Sequence, residues 1–354
     1  MPAARRTIAN PVAPGEAIDW DLLSAKLRSM DRRMRAGPSA EDGEALGFGV
    51  SVAVVLPCHN EGATIAGVVA AFRAALPGAR VIVFDNASQD DTAARAREAG
   101  AEVFVEPRKG KGNVVRRMFA DIDADVYLMA DGDGTYDAAA APQLLRMVIE
   151  DGADMAVGAR QNVLADAHRQ GHAFGNKMFN RLYAALFGAE FGDIFSGYRA
   201  FSRRFVKSFP ALSSGFEIET ELSVHASQLR LPTAEIVLPY GKRPVGSVSK
   251  LRSVSDGWRI LRTFAFLLKE TRPALFFGAF AALFALTSVV ISIPIFETWL
   301  ATGLVPRLPS AIACTGLMIL SGLSAVCGLI LDSLARSRVE QKRMLYLALA
   351  DRRR

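Results

Sequence analysis

The sequence predicts an α/β protein with a mostly parallel sheet, followed by an amphipathic helix and two membrane-crossing helices. Three observations predict it. From Ser51 to Val157 short apolar runs alternate with helical stretches, the pattern of a sheet with helices on both faces. Polar, often glycine-bearing clusters follow those runs, at the strand ends where ligands of such sheets gather. Near the C-terminus, Pro273 to Phe296 and Leu308 to Leu331 carry no charged residue, and each is long enough to span a hydrocarbon core of ~30 Å as a helix.

Taken in order, residues 1–48 are peripheral. Ile18 to Met34 reads as a short basic amphipathic helix, either a solvated face or a membrane-surface segment, and Ala36 to Gly49 reads as a linker. Strands are expected at Val52–Leu56, Arg80–Phe84, Glu102–Val105, Val126–Ala130 and Met155–Val157. Between them lie helices at Thr64–Leu76, Thr92–Ala99, Gly112–Asp121 and Pro142–Glu150, the first stopped by Pro77-Gly78 and the second closed by Gly100. Further on come helices at Gly175–Phe187 and Phe216–Gln228 and a strand at Glu235–Tyr240. Ser255 to Lys269 sets Trp258, Leu261, Phe264, Ala265 and Leu268 on one arc; a helix of this kind beside a membrane span lies in the interface or packs on a core.

Composition supports membrane attachment. Hydrophobic residues make up 51% of the chain, and the excess is concentrated in the two uncharged spans. Between Lys242 and Arg272 stand eight Lys/Arg, and more follow Leu331, whereas Glu297 to Arg307 holds one. The positive-inside rule therefore puts the main domain and the C-terminus in the cytoplasm. The net charge of +6 and pI of about 9.4 read as attraction to anionic lipid rather than nucleic acid, since no basic patch interleaved with aromatics is present. The three cysteines, Cys58, Cys314 and Cys327, have no zinc or disulfide spacing, and the polar N-terminus has no apolar leader.

Four clusters carry chemistry. Pro57-Cys58-His59-Asn60-Glu61 ends the first strand and precedes a helix N-terminus, which attracts phosphate; Asn60 as a simple helix cap is the other reading. Asp85 ends the second strand, as a ligand contact or as a turn residue. Lys109-Gly110-Lys111-Gly112 follows the third strand, where glycines would let backbone approach a ligand and lysine would match phosphate charge, or the loop is merely solvated. Asp131-Gly132-Asp133 ends the fourth. Carboxylates two positions apart can grip one Mg2+ or Mn2+; a plain acidic turn uses the same residues.

The ordered series PCHNE, DNASQDDT, GKG and DGDGTYD resembles a family 2 glycosyltransferase of the GT-A fold. Val157-Gly158-Ala159-Arg160, Gly175-Asn176-Lys177, the run Asp193 to Ala200, Gly215 to Glu221 and Gly246 to Lys250 narrow this. Together they resemble the polyprenyl-phosphate branch, the dolichyl-phosphate mannosyltransferases and bactoprenol-phosphate glucosyltransferases. That resemblance covers about Ser51 to Arg272. It implies inverting, metal-dependent transfer of a sugar from a UDP- or GDP-sugar to polyprenyl phosphate at the cytoplasmic membrane. It also implies roles. Pro57, His59, Glu61 and Asp85 would line the nucleotide pocket, with Lys111 and Arg116 near the donor. Asp131 and Asp133 would hold metal and diphosphate, with Thr135 as a further metal position. Arg160, Arg169, Arg199, Arg243 and Lys250 would meet the acceptor phosphate. His59 stands where the family usually has tyrosine, and Thr135 where many relatives have glutamine.

The implied organisation is a peripheral segment over 1–48, a catalytic domain over 49–250, a juxtamembrane helix over 251–272, a transmembrane hairpin over 273–332 and a basic tail over 333–354. The resemblance leaves room for a small homo-oligomer. Three rivals remain: a family 2 enzyme with another acceptor, a nucleotidyltransferase, and a non-catalytic membrane scaffold. A processive polymer synthase is disfavoured, because no QxxRW motif is present.

Overall fold

The computed structural model describes residues 49–161, 191–215, 217–241, 265–266 and 268–353. Expectations for residues 1–48, for Gly175–Phe187 and for most of Ser255–Lys269 lie outside the described residues. The strands are β1 (Val52–Cys58), β2 (Arg80–Asp85), β3 (Glu102–Val105), β4 (Val126–Met129), β5 (Met155–Arg160), β6 (Arg199–Ser202) and β7 (Thr233–Leu238). The helices are α1 (Ile65–Ala75), α2 (Thr92–Glu98), α3 (Lys111–Asp121), α4 (Ala141–Ile149), α5 (Arg203–Ser208), α6 (Ile218–Leu229), α7 (Pro273–Thr302) and α8 (Leu308–Ala348).

The strands form one sheet in the order β3-β2-β1-β4-β6-β5-β7. Valine and isoleucine crowd β1 and β2 because both faces of the sheet are covered. Side chains alternate along β1. Ala53 and Val55 face a core built with Val115, Met118 and Phe119 of α3 and Ile218 and Leu222 of α6. Val52, Val54 and Leu56 face the other, with Ile65, Val69 and Phe72 of α1 and Leu144 and Leu145 of α4. Each fully buried valine, leucine, isoleucine, methionine or phenylalanine here contributes ~1.5–3 kcal/mol.

All pairings are parallel except those of β6, which runs antiparallel to both β4 and β5. This reversal was not expected from the sequence. It brings the segment entering β6 to the same edge as the carboxyl ends of β1, β2, β4 and β5.

The C-terminal apolar spans are α7 and α8, which pack against each other as an antiparallel pair. The Ser288 hydroxyl donates to the Cys314 carbonyl and the Ser321 hydroxyl to the Ala281 carbonyl, each at 2.8 Å. Both helices are long and apolar enough to cross a membrane, and Leu286, Leu300 and Leu329 are largely exposed. With 41 residues, α8 is ~60 Å long and outruns a hydrocarbon core of ~30 Å. Its end lies on the α/β domain. Tyr346 is buried in the core shared with Phe205, and its hydroxyl donates to Asp154 at 2.7 Å. Arg343 donates to the Leu229 carbonyl at 3.1 Å. Past the helix, Arg353 donates to the Val148 and Ala153 carbonyls at 2.9 and 2.6 Å. The segment read as a basic tail is thus, from 333 to 348, continuous helix docked on the domain.

Candidate active site

Parallel pairing puts the ends of β1 and β2 side by side, with Cys58 opposite Asp85. The loops beyond them are tied together. His59 Nδ1 lies 2.8 Å from the Asn86 carbonyl, and the Asn60 side chain accepts from the Gln89 amide at 2.7 Å. Ala87 sits at φ 52°, a left-handed conformation costing alanine ~1–2 kcal/mol. Asp85 is buried, and its Oδ2 accepts from the Ser88 amide at 3.3 Å. Its Oδ1 is buried with no hydrogen-bond partner among the described residues.

Asn86 organises the third cluster. Its amide donates to the carbonyls of Glu106 and Arg108 at 3.0 and 2.7 Å, and its oxygen accepts from the Gly110 amide at 2.7 Å. The two glycines here serve packing rather than ligand approach. A Cβ at Gly110 or Gly112 would collide with the carbonyl of Ser214 or Ser213. The Gly112 amide donates to the carbonyls of Ser214 and Gly215 at 3.1 Å. Arg116, expected near the donor, grips the same segment instead, donating to the carbonyls of Ala211 and Leu212 at 2.7 and 2.9 Å.

At the end of β4, the Gly132 carbonyl accepts from Thr64 Oγ1 at 2.8 Å. A Cβ on Gly132 would press on Cys58 Sγ and Glu61 Oε2. Burial first, and Glu61 second, push the Cys58 thiol up, so it stays protonated and unreactive at neutral pH. Asp131 is partly exposed and pairs with the buried Lys111 ammonium. Lys111 Nζ also lies 2.6 Å from Glu219 Oε1. Burial opposes the lysine charge, but Asp131 and Glu219 together outweigh it and hold its pKa above that of a free lysine. Asp133 is buried, and Thr135 donates to it from both amide and hydroxyl, at 3.1 and 2.6 Å. Thr135 therefore helps to orient Asp133.

The donor set suits a hard divalent cation. Asp131 and Asp133 supply carboxylate oxygens at one strand end, and Asp131 already holds a cation, the Lys111 ammonium. Among the described residues, no cluster of three or more His, Cys, Asp or Glu completes a metal cage.

On the far side, the segment entering β6 contributes Gly197, whose amide donates to the Tyr136 hydroxyl at 2.9 Å. Arg160, at the end of β5, pairs bidentately with Asp193 at 2.6 and 2.9 Å and lies over the Tyr240 ring. Burial opposes the Arg160 charge and Asp193 sustains it.

The edge therefore gathers His59, Glu61, Asp85, Lys111, Asp131, Asp133 and Arg160. Pro57 is buried inside β1, opposite Phe84, and presents no side chain to a ligand. Arg199 is a correction: it is fully buried and donates to the Ser196 and Ile194 carbonyls and the Ser223 hydroxyl at 2.8, 2.7 and 2.9 Å, so it cannot meet an acceptor phosphate. Arg169, Arg243 and Lys250 lie outside the described residues. Glu219, Tyr136 and Asn86 were given no role from sequence. Glu219 stands in the first turn of α6, where an acidic residue reads as ordinary helix-dipole pairing.

Known proteins resemble this chain. The profile of glycosyl transferase family 2 matches residues 53–209. Glycosyltransferase AglJ of Haloferax volcanii is 33% identical over 274 residues, covering 76% of this chain and 88% of that protein. Protein RfbJ of Shigella flexneri is 52% identical over 123 residues, 34% of this chain and 95% of that protein. A crystal structure of glucosyl-3-phosphoglycerate synthase from Mycobacterium tuberculosis with Mn2+, UDP-glucose and phosphoglyceric acid aligns with a TM-score of 0.52 at 25% identity, covering 66% of this chain and 84% of that one. The sheet order, its strand-end carboxylates and these matches lead to one statement: the chain is a glycosyltransferase and belongs to glycosyl transferase family 2.

Proposed function

We propose that this enzyme transfers a sugar from a UDP- or GDP-sugar to polyprenyl phosphate on the cytoplasmic face of the cytoplasmic membrane. One observation carries the reading: a donor-binding edge and an apolar hairpin belong to one continuously packed molecule, through the docking of Tyr346 on Asp154. A lipid acceptor requires a catalytic edge held near a bilayer, and a soluble sugar nucleotide requires that edge open to water.

The buried, unpaired Oδ1 of Asp85 is suited to accept an N–H from the base. Uracil N3–H and guanine N1–H both qualify, which leaves the nucleotide class open. His59 and Asn86 hold the walls of that pocket. A Mg2+ or Mn2+ ion held by Asp131 and Asp133 would supply charge stabilisation for the departing diphosphate. Mn2+ in the solved neighbour supports this. Lys111 adds a second positive charge on the same side. Arg160 faces the approach of the acceptor with its orientation fixed by Asp193. A lipid phosphate is already an anion at neutral pH, so the residues here need to hold two anions in line for attack on the sugar C1 rather than remove a proton.

The solved neighbour's phosphoglyceric acid favours a second reading, a small phosphorylated acceptor. Nucleoside diphosphate release measured with either acceptor separates the two. In either assay Asp131→Ala and Asp133→Ala are expected to abolish turnover with the fold intact, because Lys111 keeps Glu219 when Asp131 is lost. Near-normal turnover in both variants would remove these carboxylates from the chemistry.

A further inference from the structure

Resting on the metal reading above, we propose that Lys111 is the internal counter-ion of Asp131, displaced when a divalent cation binds, and that Glu219 is the positioning residue that keeps it. Four observations carry this. The Lys111 ammonium touches two carboxylates at once, Asp131 and Glu219. An ammonium and a divalent ion on one carboxylate repel each other, and more strongly where water is excluded. Glu219 is buried, and its Oε2 has no hydrogen-bond partner among the described residues. A buried carboxylate oxygen left bare calls for a reason; here it is spare capacity for a second ammonium proton, since lysine carries three donors.

The mountings of the three groups also differ. Lys111 begins α3, and the Gly112 amide after it is bonded to the carbonyls of Ser214 and Gly215. Glu219 follows that segment in the first turn of α6, so Lys111 and Glu219 share one support. Asp131 belongs to the end of β4. The neighbouring residue is Gly197, where any Cβ would crowd both Asp131 Oδ2 and Lys111 Nζ, so the space around the exchange is kept clear. Cation binding at Asp131 then needs only a small rotation of the lysine within its own half of the site.

The test is Mn2+ binding alone, without nucleotide, to the full-length protein in detergent, read by calorimetry or by loss of the free-ion paramagnetic signal. Lys111→Met is expected to bind Mn2+ roughly tenfold more tightly than wild type, and Glu219→Gln roughly tenfold more weakly, about 1.4 kcal/mol each way. In the Lys111→Met background the Glu219→Gln effect should nearly vanish, the non-additivity of groups acting through one another. Equal affinity in wild type and Lys111→Met would overturn the displacement. A Glu219→Gln effect undiminished in that background would make Glu219 a metal ligand and overturn its positioning role. Should Lys111→Met not fold, Glu219→Gln still decides, since unchanged affinity there contradicts the proposal. Failure of the underlying reading looks different: no variant binds Mn2+, and turnover survives chelation.

Discussion

At the scale of single residues, burial separates two arginines that the sequence reading put in one role. Arg160 and Arg199 were both expected at the acceptor phosphate, yet Arg199 is fully buried while Arg160 is partly exposed at the strand-end edge. Arg199 has its guanidinium turned onto the carbonyls of Ser196 and Ile194. Arg199→Ala is therefore expected to cost at least ~1–3 kcal/mol of stability by leaving buried acceptors unsatisfied. A urea midpoint measured by circular dichroism checks it, and an unchanged midpoint would return Arg199 to the acceptor site. His225 gives a pH prediction. Burial lowers its pKa to about 3, and its Nε2 lies 3.2 Å from Ser208 Oγ. An unfolded histidine takes its proton near pH ~6.5. Between those values the unfolded chain binds the extra proton, so stability falls as pH drops through that window. His225→Gln should flatten the acid side of a melting-temperature profile, and an identical slope in the variant would refute the assignment. The strand-end positions of Asp85 and Asp131 were legible in sequence because each directly follows an apolar run, with Asp133 two positions further on. Glu219 was not, since its importance depends on Lys111, 108 positions earlier in the chain, sharing its pocket.

At the scale of elements, the alternation of apolar runs and helices over 51–157 gave strand and helix positions close to those observed. What it lacked was β6. Four residues, Arg199-Ala200-Phe201-Ser202, carry too little periodicity to read, and a charged residue at the start argues against a buried strand. Without β6 the sheet looks wholly parallel, and the Gly197 segment has no reason to reach the ligand edge. The glycines of the Gly110-Lys111-Gly112 turn were read as room for a ligand, while the structure uses that room for the backbone of residues 213–215. Gly112→Ala is expected to displace that segment and, with it, the start of α6. A loss of ~1–3 kcal/mol and faster proteolysis near residue 213 are the predicted signs; a wild-type melting temperature would show that the packing is not needed.

At the scale of the whole molecule, composition located the hairpin but not its attachment. The uncharged spans end at Phe296 and Leu331, whereas α8 continues to Ala348 because its polar half finds a second surface, with Tyr346 buried beside Phe205. Asp154, fully buried, receives Tyr346, Arg204, Arg353 and Ser202, at the end of β5 away from the ligand edge. The hairpin is thus joined to the α/β domain through packed side chains, the arrangement that the proposed membrane-bound acceptor calls for. The most direct measurement is turnover by the purified protein in detergent with Mg2+ or Mn2+, a panel of UDP- and GDP-sugars and undecaprenyl phosphate, with the lipid product read by mass. A polyprenyl-phosphate sugar from one donor class, lost on chelation, is the expected product. Donor turnover that yields no lipid product under any condition would contradict it.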